Sequence, residues 1–159
     1  MRGKQLEAKA FSENVLKNIA TLGFIGYLPL APGTFGSLVA FALFVLLKPS
    51  PFIHIALLLL ITPIGIISSH HAERLLNDKD SRYIVIDEFI GFLISVFYLP
   101  QTYGYIIAAF FLFRFFDILK PFPIRKIGLI LSGGKGIMAD DIMAALYTNL
   151  ILQIWKLIY

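Results

Sequence analysis

The sequence lacks cysteine and has few charged residues for its length. Of its 159 residues, 15% are charged and 58% are hydrophobic, whereas soluble domains have about 25% charged and about 45–50% apolar residues. The absence of cysteine excludes disulfides, cysteine-ligated zinc and cysteine nucleophiles. A chain this short could not hide so much apolar surface from water. The composition therefore indicates a membrane protein, with residues 1–159 forming a single domain.

Charged residues are also missing from three long stretches. No Asp, Glu, Lys or Arg occurs in residues 18–47, 49–72 or 89–113. A membrane-spanning helix needs about 20 apolar residues, so we predict an all-α membrane protein with about five short transmembrane helices. Gly, Pro and polar residues divide the stretches and set the limits of these helices. The predicted helices are residues 35–47, 52–69, 84–100, 103–116 and from 137 to the C-terminus.

Residues 1–20 follow a different pattern, in which charged and apolar residues alternate at helical spacing. Ala8, Phe11, Val15 and Ile19 recur on one helical face. This pattern predicts an amphipathic helix at the membrane interface, followed by a helical bundle over residues 21–159. We expect no cleaved signal peptide, since the first seventeen residues contain no apolar h-region.

Five predicted spans place the two chain ends on opposite sides of the membrane. With the N-terminus inside, twelve of the 14 Lys and Arg residues are cytoplasmic, and only Lys48 and Lys156 lie outside. This matches the positive-inside rule. It also accounts for the net charge of +4, so we expect no nucleic-acid partner. All ten acidic residues fall on the same cytoplasmic side.

Five of these acidic residues lie at the cytoplasmic ends of three predicted helices. Ionisable groups near apolar spans cost free energy unless they are paired, metal-bound or hydrated. Oxygen-only clusters suit Mg²⁺, and we predict that Asp87, Glu88, Asp140 and Asp141 are metal ligands. The alternative is that these four stabilise helix N-termini. That alternative does not explain Asp117, which lies at a helix C-terminus and can pair with Arg114 three residues earlier.

A glycine-rich segment, residues 31–37, leads into the first predicted span. Glycine allows close backbone approach, and free N–H groups at a helix start bind anions. We predict that the chain is a loop up to Thr34, that Thr34 caps the following helix, and that Gly33, Thr34, Gly36 and Ser37 bind phosphate. Lys120 and Arg125 would add positive charge, although attraction to lipid headgroups explains such cations equally well.

Four segments together resemble the phosphatidylglycerophosphatase A family of bacterial membrane enzymes. They are residues 29–37 (PLAPGTFGS), Asp80 with residues 84–91 (IVIDEFIG), residues 113–124 (FRFFDILKPFPI) and residues 134–141 (GKGIMADD). The segments occur in the order found in the family. One departure is Ala145, where the family usually has glycine, and it affects helix packing more than chemistry.

The resemblance implies the reaction and its setting. The expected activity is Mg²⁺-dependent hydrolysis of phosphatidylglycerol phosphate to phosphatidylglycerol and inorganic phosphate, in phospholipid biosynthesis. The expected location is the bacterial cytoplasmic (inner) membrane, with a multi-pass chain and an active site facing the cytoplasm. The phospholipid substrate and the membrane are the expected partners, and no obligate protein partner is evident.

The roles of single residues follow from their chemistry. Asp87, Asp140 and Asp141 would hold Mg²⁺, and Glu88 or Asp80 would complete the shell or activate water. Lys120 and Arg125 would stabilise charge on the phosphate oxygens. Attack by water and formation of a phospho-aspartate both remain open. The predicted catalytic residues are Glu88, Asp80, Asp117 and Arg114. Asp117 would orient Arg114.

Three other functions compete with this interpretation. A small polytopic transporter or channel would also need intramembrane carboxylates at an ion site, but it predicts polar residues on both sides of the membrane. Here the extracytoplasmic half is almost purely apolar. A lipid phosphotransferase would need a clustered Asp-Gly and Ala-Arg pattern that is missing. A purely structural membrane protein would not need ten acidic residues on one side.

Overall fold

The computed structural model describes residues 2–158, and it describes their side chains except those of residues 2–6, 8, 9 and 129. The described chain is helical, with no strand, which confirms the predicted all-α class. A short 3-10 turn covers Ile25–Tyr27. The helices are α1 (Arg2–Ala20), α2 (Pro32–Leu47), α3 (Pro51–Leu76), α4 (Ile86–Ser95), α5 (Tyr103–Leu119), α6 (Ile124–Ile130) and α7 (Gly134–Ile158).

Five helices, α2, α3, α4, α5 and α7, run alternately between two ends of the molecule. At one end, the side chain of Gln101 donates to the Pro49 carbonyl at 2.7 Å, which joins the α2–α3 turn to the start of α5. The opposite end contains the acidic residues of α4 and α7 and is called the acidic end below. Two of the helices, α3 and α7, are long and apolar enough to cross a membrane, fewer than the five predicted spans.

Helix α2 begins at Pro32, three residues before its predicted start. Proline is favoured at the first helical position because its fixed φ suits the helix and its missing N–H would have no intrahelical partner there. Thr34 therefore lies inside the first turn and not at the N-cap. The N-cap is Ala31, which makes no side-chain capping bond. The prediction that residues 32–34 belong to a loop is wrong.

Helix α3 continues to Leu76, seven residues beyond its predicted end. Ser50 caps its start, since its hydroxyl accepts from the Ile53 N–H at 3.4 Å, and Asn77 ends it in the left-handed conformation with φ 50°. The polar residues that suggested a loop, including His70 and Arg74, lie on its last turns. At the acidic end this helix therefore extends beyond its apolar portion.

Helix α4 is shorter than predicted, ending at Ser95 where the sequence suggested a helix to residue 100. Its ten residues span about 15 Å, roughly half of a hydrocarbon core. Residues 96–102 continue as turns, with Tyr98 at φ 57°. This short helix carries Asp87 and Glu88 in its first turn.

The predicted polar loop of residues 120–135 also contains regular structure. It includes α6, and α7 begins within it at Gly134. A helix does cover Arg2–Ala20 and packs on α3, while its amphipathic character stays a prediction. Its apolar residues Phe11 and Val15 are exposed, while the side chains of Arg2, Lys4, Ala8 and Lys9 lie outside the described set. Its position at a membrane interface stays a prediction.

The largest fully buried side chains are aromatic, within an interior that is otherwise mostly aliphatic. Phe92 of α4 and Phe113 of α5 are fully buried and belong to one cluster with Phe44 of α2. The outer surface is also apolar: Leu46, Phe52 and other large side chains remain exposed. Soluble monomers rarely expose large contiguous apolar areas, so these outward faces suit a lipid environment.

Candidate active site

Three carboxylates from two helices meet at the acidic end. Asp87 and Glu88 come from the first turn of α4, and Asp141 comes from α7. One ligand atom of each lies within 4.8 Å of the others. These three residues are called the carboxylate group below. The structure thus brings together three of the four residues predicted as metal ligands.

The carboxylate group is buried and has spare acceptor capacity. Asp141 is only 2% exposed and Asp87 only 7%. Within the part of the chain that the structure describes, Asp87 Oδ1, Glu88 Oε2 and Asp141 Oδ2 are buried without a hydrogen-bonding partner. Buried anions are costly unless paired or bound to a cation. An all-oxygen set with free lone pairs fits a hard divalent cation such as Mg²⁺.

Helix capping does not account for the acidic residues of α7. Stabilisation by the helix dipole fades within the first turn. Asp140 and Asp141 lie well beyond the first turn of a helix that begins at Gly134. Asp87 and Glu88 do lie in the first turn of α4, so a dipole contribution remains for them.

An arginine–aspartate pair borders the carboxylate group. Arg114 Nη1 lies 2.6 Å from Asp117 Oδ2 and 3.8 Å from Glu88 Oε1. Both partners are on α5, one helical turn apart, as the sequence suggested. Because Arg114 contacts both carboxylates, it can hold Glu88 in place as well as neutralise Asp117.

The start of α2 packs against the carboxylate group. A Cβ atom at Gly33 would overlap Glu88 Oε1 and would lie 2.7 Å from Glu88 Cδ. A Cβ at Gly36 would lie 2.8 Å from the Val85 carbonyl oxygen. Both glycines therefore allow close helix packing, and at Gly33 the neighbour is Glu88 itself. Because Gly33 has no Cβ, the Glu88 carboxylate can lie against the N-terminal turn of α2.

The other two residues predicted to bind phosphate lie in the same helix. Ser37 is fully buried, and its hydroxyl donates to the Gly33 carbonyl at 3.2 Å. Thr34 is partly buried in the first turn. The structure places these residues beside the carboxylate group and not on an open anion-binding loop, and their role in phosphate binding stays a prediction.

Asp140 is not one of the three residues of the carboxylate group and pairs instead with Lys120. Neighbouring helical residues face different directions, and the Lys120 ammonium contacts Asp140 Oδ2. Burial alone would lower the pKa of Lys120, but the bond to Asp140, with attraction from Asp141 and Asp117, raises that pKa above its ordinary value. Lys120 therefore keeps its positive charge at neutral pH.

A polar cleft of about 190 Å³ opens beside this pair. Four of its lining residues were predicted site residues: Asp80, Lys120, Arg125 and Asp140. Asp80 and Arg125 are exposed at the cleft. The cleft gives an anionic headgroup access to positive charge next to the buried carboxylates.

The sequence analysis missed Glu73 and Lys79, which also line the cleft. A signal was available for Glu73, since it is the first charged residue after the uncharged stretch of residues 49–72. That position marks the level at which α3 leaves its apolar segment, and Asp87 marks the same transition in α4.

Comparison with known proteins gives consistent matches. The family profile described as Phosphatidylglycerophosphatase A matches residues 18–156. A Haemophilus influenzae protein named Phosphatidylglycerophosphatase A is 37% identical over 161 residues, covering 91% of this chain and 98% of the relative. An Escherichia coli protein of the same name is 36% identical over 138 residues, covering 85% and 80%.

A third relative carries a different name. A Bacteroides thetaiotaomicron protein provisionally named phosphatidylinositol-3-phosphatase is 38% identical over 138 residues, covering 81% of this chain and 86% of the relative. No solved structure matches the chain significantly. All three names describe removal of a phosphate monoester from a phospholipid headgroup.

Proposed function

Because this chain belongs to the phosphatidylglycerophosphatase A family, we propose that it hydrolyses the terminal phosphate of phosphatidylglycerol phosphate. The products would be phosphatidylglycerol and inorganic phosphate. The observation that carries the proposal is the carboxylate group together with a nearby cleft that offers three basic side chains, Lys79, Lys120 and Arg125, among an equal number of acidic ones. None of the findings supports the alternative of a transporter or channel.

The chain's own residues would bind and orient the headgroup. Lys120 and Arg125, which line the cleft, would hold the phosphoryl oxygens and stabilise the charge that develops on them. Asp140 would position Lys120 through their ion pair. Arg114, fixed by Asp117, would hold Glu88 in its orientation.

We propose Mg²⁺ as the cofactor, held by Asp87, Glu88 and Asp141. The support is the donor set, namely two buried carboxylates and one partly buried carboxylate with unpartnered oxygens among the described residues. When bound, the ion would supply positive charge that offsets the charge on the transferred phosphoryl group. Asp140 was predicted as a fourth ligand, but its pairing with Lys120 favours a role in the cleft.

We further propose a multi-pass topology in the bacterial cytoplasmic membrane with the cleft facing the cytoplasm. The support is the distribution of basic residues together with the fold. Lys156 lies at the end opposite the cleft, where its ammonium donates to the Tyr98 carbonyl at 3.3 Å. Lys79, Lys120 and Arg125 all line the cleft. The positive-inside rule orients such a molecule with the cleft inside.

The test is a phosphatase assay on purified protein in detergent micelles. Phosphatidylglycerol phosphate and phosphatidylinositol 3-phosphate would be compared as substrates, with Mg²⁺ and with EDTA, by measuring released phosphate. We expect Mg²⁺-dependent release with a higher kcat/KM for phosphatidylglycerol phosphate. The second lipid is included because one relative is named for it.

The controls separate the parts of the proposal. Asp141→Asn protein, prepared identically, should release little phosphate and so excludes a contaminating phosphatase. Preference for the inositol lipid would overturn the substrate, and full activity in EDTA would overturn the cofactor. Lack of activity on both lipids would overturn the proposed reaction.

A further inference from the structure

The C-terminal end of α4, opposite the carboxylate group, lies where unpaired backbone carbonyls cost free energy. The last four carbonyls of any α-helix lack partners within that helix, and lipid offers them none. The α4 helix ends at Ser95, between apolar helices, and turns follow it. Its terminal carbonyls must therefore find partners inside the protein.

Backbone N–H groups of the following turn satisfy two of these carbonyls. Phe92 accepts from the Val96 N–H at 3.3 Å, and Ile94 accepts from the Phe97 N–H at 3.1 Å. These bonds stay within the α4 segment. They close the helix end but do not attach it to another helix.

The side chain of Asn149 on α7 attaches this end to a second helix. Its amide nitrogen Nδ2 donates to the Ser95 carbonyl at 3.0 Å and to the Phe97 carbonyl at 2.8 Å. Gln153, one turn further along α7, also donates to Phe97 at 3.2 Å. Both amide N–H groups of Asn149 are used, so its geometry is specified.

The contacts at the two ends of α4 share one register. At the acidic end, Asp87 lies beside Asp141, and at the other end Ser95 accepts from Asn149. Eight residues separate the two contacts on each helix, so α4 and α7 run in parallel with matched rise. A slip of one residue at Asn149 would move the opposing carboxylates by about 1.5 Å along the axis.

We infer that Asn149 is a positioning residue that fixes the register of α4 against α7, and thereby the spacing of the carboxylate group. The inference rests on the proposed function of that group in holding Mg²⁺. Mg²⁺ needs near-ideal octahedral geometry with oxygens at about 2.0–2.1 Å, so an error of 1.5 Å between ligands would weaken binding. The carboxylates repel one another when empty, and an uncharged clamp at the far end can hold them together.

The test compares Asn149→Leu, which keeps similar volume without donors, with Thr148→Val. Thr148 is the adjacent buried residue, and its hydroxyl donates within α7 to the Ala144 carbonyl at 3.0 Å, so this control loses a polar group whose hydrogen bond does not involve α4. Asn149→Gln keeps two amide donors and serves as the conservative variant. If the leucine variant does not accumulate, Asn149→Ser, which removes the amide donors, replaces it.

Two readouts are measured on purified protein in detergent. The first is the dissociation constant for Mn²⁺, which suits the same oxygen ligands, by electron paramagnetic resonance without substrate. The second is the Mg²⁺ concentration for half-maximal phosphate release. Loss of a residue that supports metal ligands typically costs 10–100-fold in affinity. We expect at least a tenfold rise in both values for Asn149→Leu, partial restoration in Asn149→Gln and values near wild type for Thr148→Val.

The outcomes of the test separate this inference from the proposed function. Wild-type protein that releases no phosphate would overturn the proposed function. Active wild-type protein whose Mn²⁺ affinity is unchanged by Asn149→Leu, or is weakened equally by Thr148→Val, would overturn this inference alone. A fall in thermal stability with unchanged Mn²⁺ affinity would also overturn it, since a merely structural role predicts that result.

Discussion

Replacing Asp141 by asparagine removes one negative charge from the carboxylate group while keeping the side-chain volume. Asp141 is 2% exposed, so solvent screens it little. It lies beside both Asp87 and Glu88. The variant should therefore change the electrostatic energy of the group in opposite directions with and without a divalent cation.

The magnitude follows from the separation of the carboxylates. At 4.8 Å, the largest separation within the group, two unit charges repel by about 3.5 kcal/mol at an effective dielectric constant of about 20. Asp141→Asn removes two such pairs, a gross relief of about 7 kcal/mol. Proton uptake and side-chain movement already relieve most of this in the empty protein. We expect the metal-free variant to be as stable as wild type or more so, by on the order of 1 kcal/mol.

With Mg²⁺ bound, wild type should be more stable than Asp141→Asn. A ligand at 100 times its dissociation constant stabilises the folded state by about 2.7 kcal/mol. For a chain of this size, each kcal/mol shifts Tm by about 2–4 °C. Wild type should gain about 5–10 °C at that concentration, and Asp141→Asn should gain almost nothing.

Thermal unfolding in detergent tests both expectations, by measuring the Tm of each protein in EDTA and over a series of Mg²⁺ concentrations. The same samples, assayed for phosphate release, should show loss of most activity in the variant. If the carboxylate merely stabilised the fold, Asp141→Asn would lower Tm equally in EDTA and in Mg²⁺. That result, or equal stabilisation of both proteins by Mg²⁺, would refute the metal assignment.

Other predictions test the surroundings of the carboxylate group and the topology. Gly33→Ala should cost about 1–3 kcal/mol by overpacking against Glu88 and reduce kcat at least tenfold, whereas Gly104→Ala, where a Cβ meets nothing within 4 Å, should be neutral; equal activities would show that the close packing is not needed. Lys120→Met should leave Asp140 unpaired, costing about 1–3 kcal/mol, and should raise KM for the lipid; unchanged KM would remove Lys120 from the cleft's function. Single cysteines at Ser50 and Thr102 should react with an impermeant thiol reagent on intact cells, and protection of both would reverse the proposed topology.

Hydrophobic patterning predicts much of this fold. Long uncharged stretches located α2, α3 and α5, because apolar length and charge placement are properties of the sequence itself. Grouping acidic residues at the same helix ends also predicted that Asp87 and Asp141 would meet. The Arg114–Asp117 pair followed from their spacing of three residues, which places both on one helical face.

Features that depend on tertiary partners were harder to predict. Residues 96–100 are as apolar as the helix before them, and only the donors of Asn149 and Gln153 show why α4 can end at Ser95. A signal did exist, since Asn149, Gln153 and Lys156 recur at helical spacing on one face of α7. Sequence alone does not show that this face meets the end of α4.

The distinct directions of Asp140 and Asp141 illustrate the same limit. Adjacent helical residues cannot share one face, so the sequence does indicate that the two carboxylates diverge. Which of them joins Asp87 depends on how α4 and α7 pack, and which of them meets Lys120 depends on where α5 ends. Both answers require the arrangement of helices that are distant in sequence.

The charge balance of the acidic end explains why a cation belongs to the proposed reaction. Arg114 contacts Glu88 and Asp117, and Asp87 and Asp141 lie close to Glu88. When all four carboxylates are ionised, they exceed the charge of this guanidinium by three, while Asp140 and Lys120 neutralise each other. A phosphate monoester is itself close to a dianion at neutral pH. Such a group could not approach the carboxylates without strong repulsion, and the cations of the cleft lie on one side only. A divalent ion in the carboxylate group would remove most of the excess and attract the phosphate. The same residues that are costly in the empty protein would therefore become favourable if the ion and the substrate bound together.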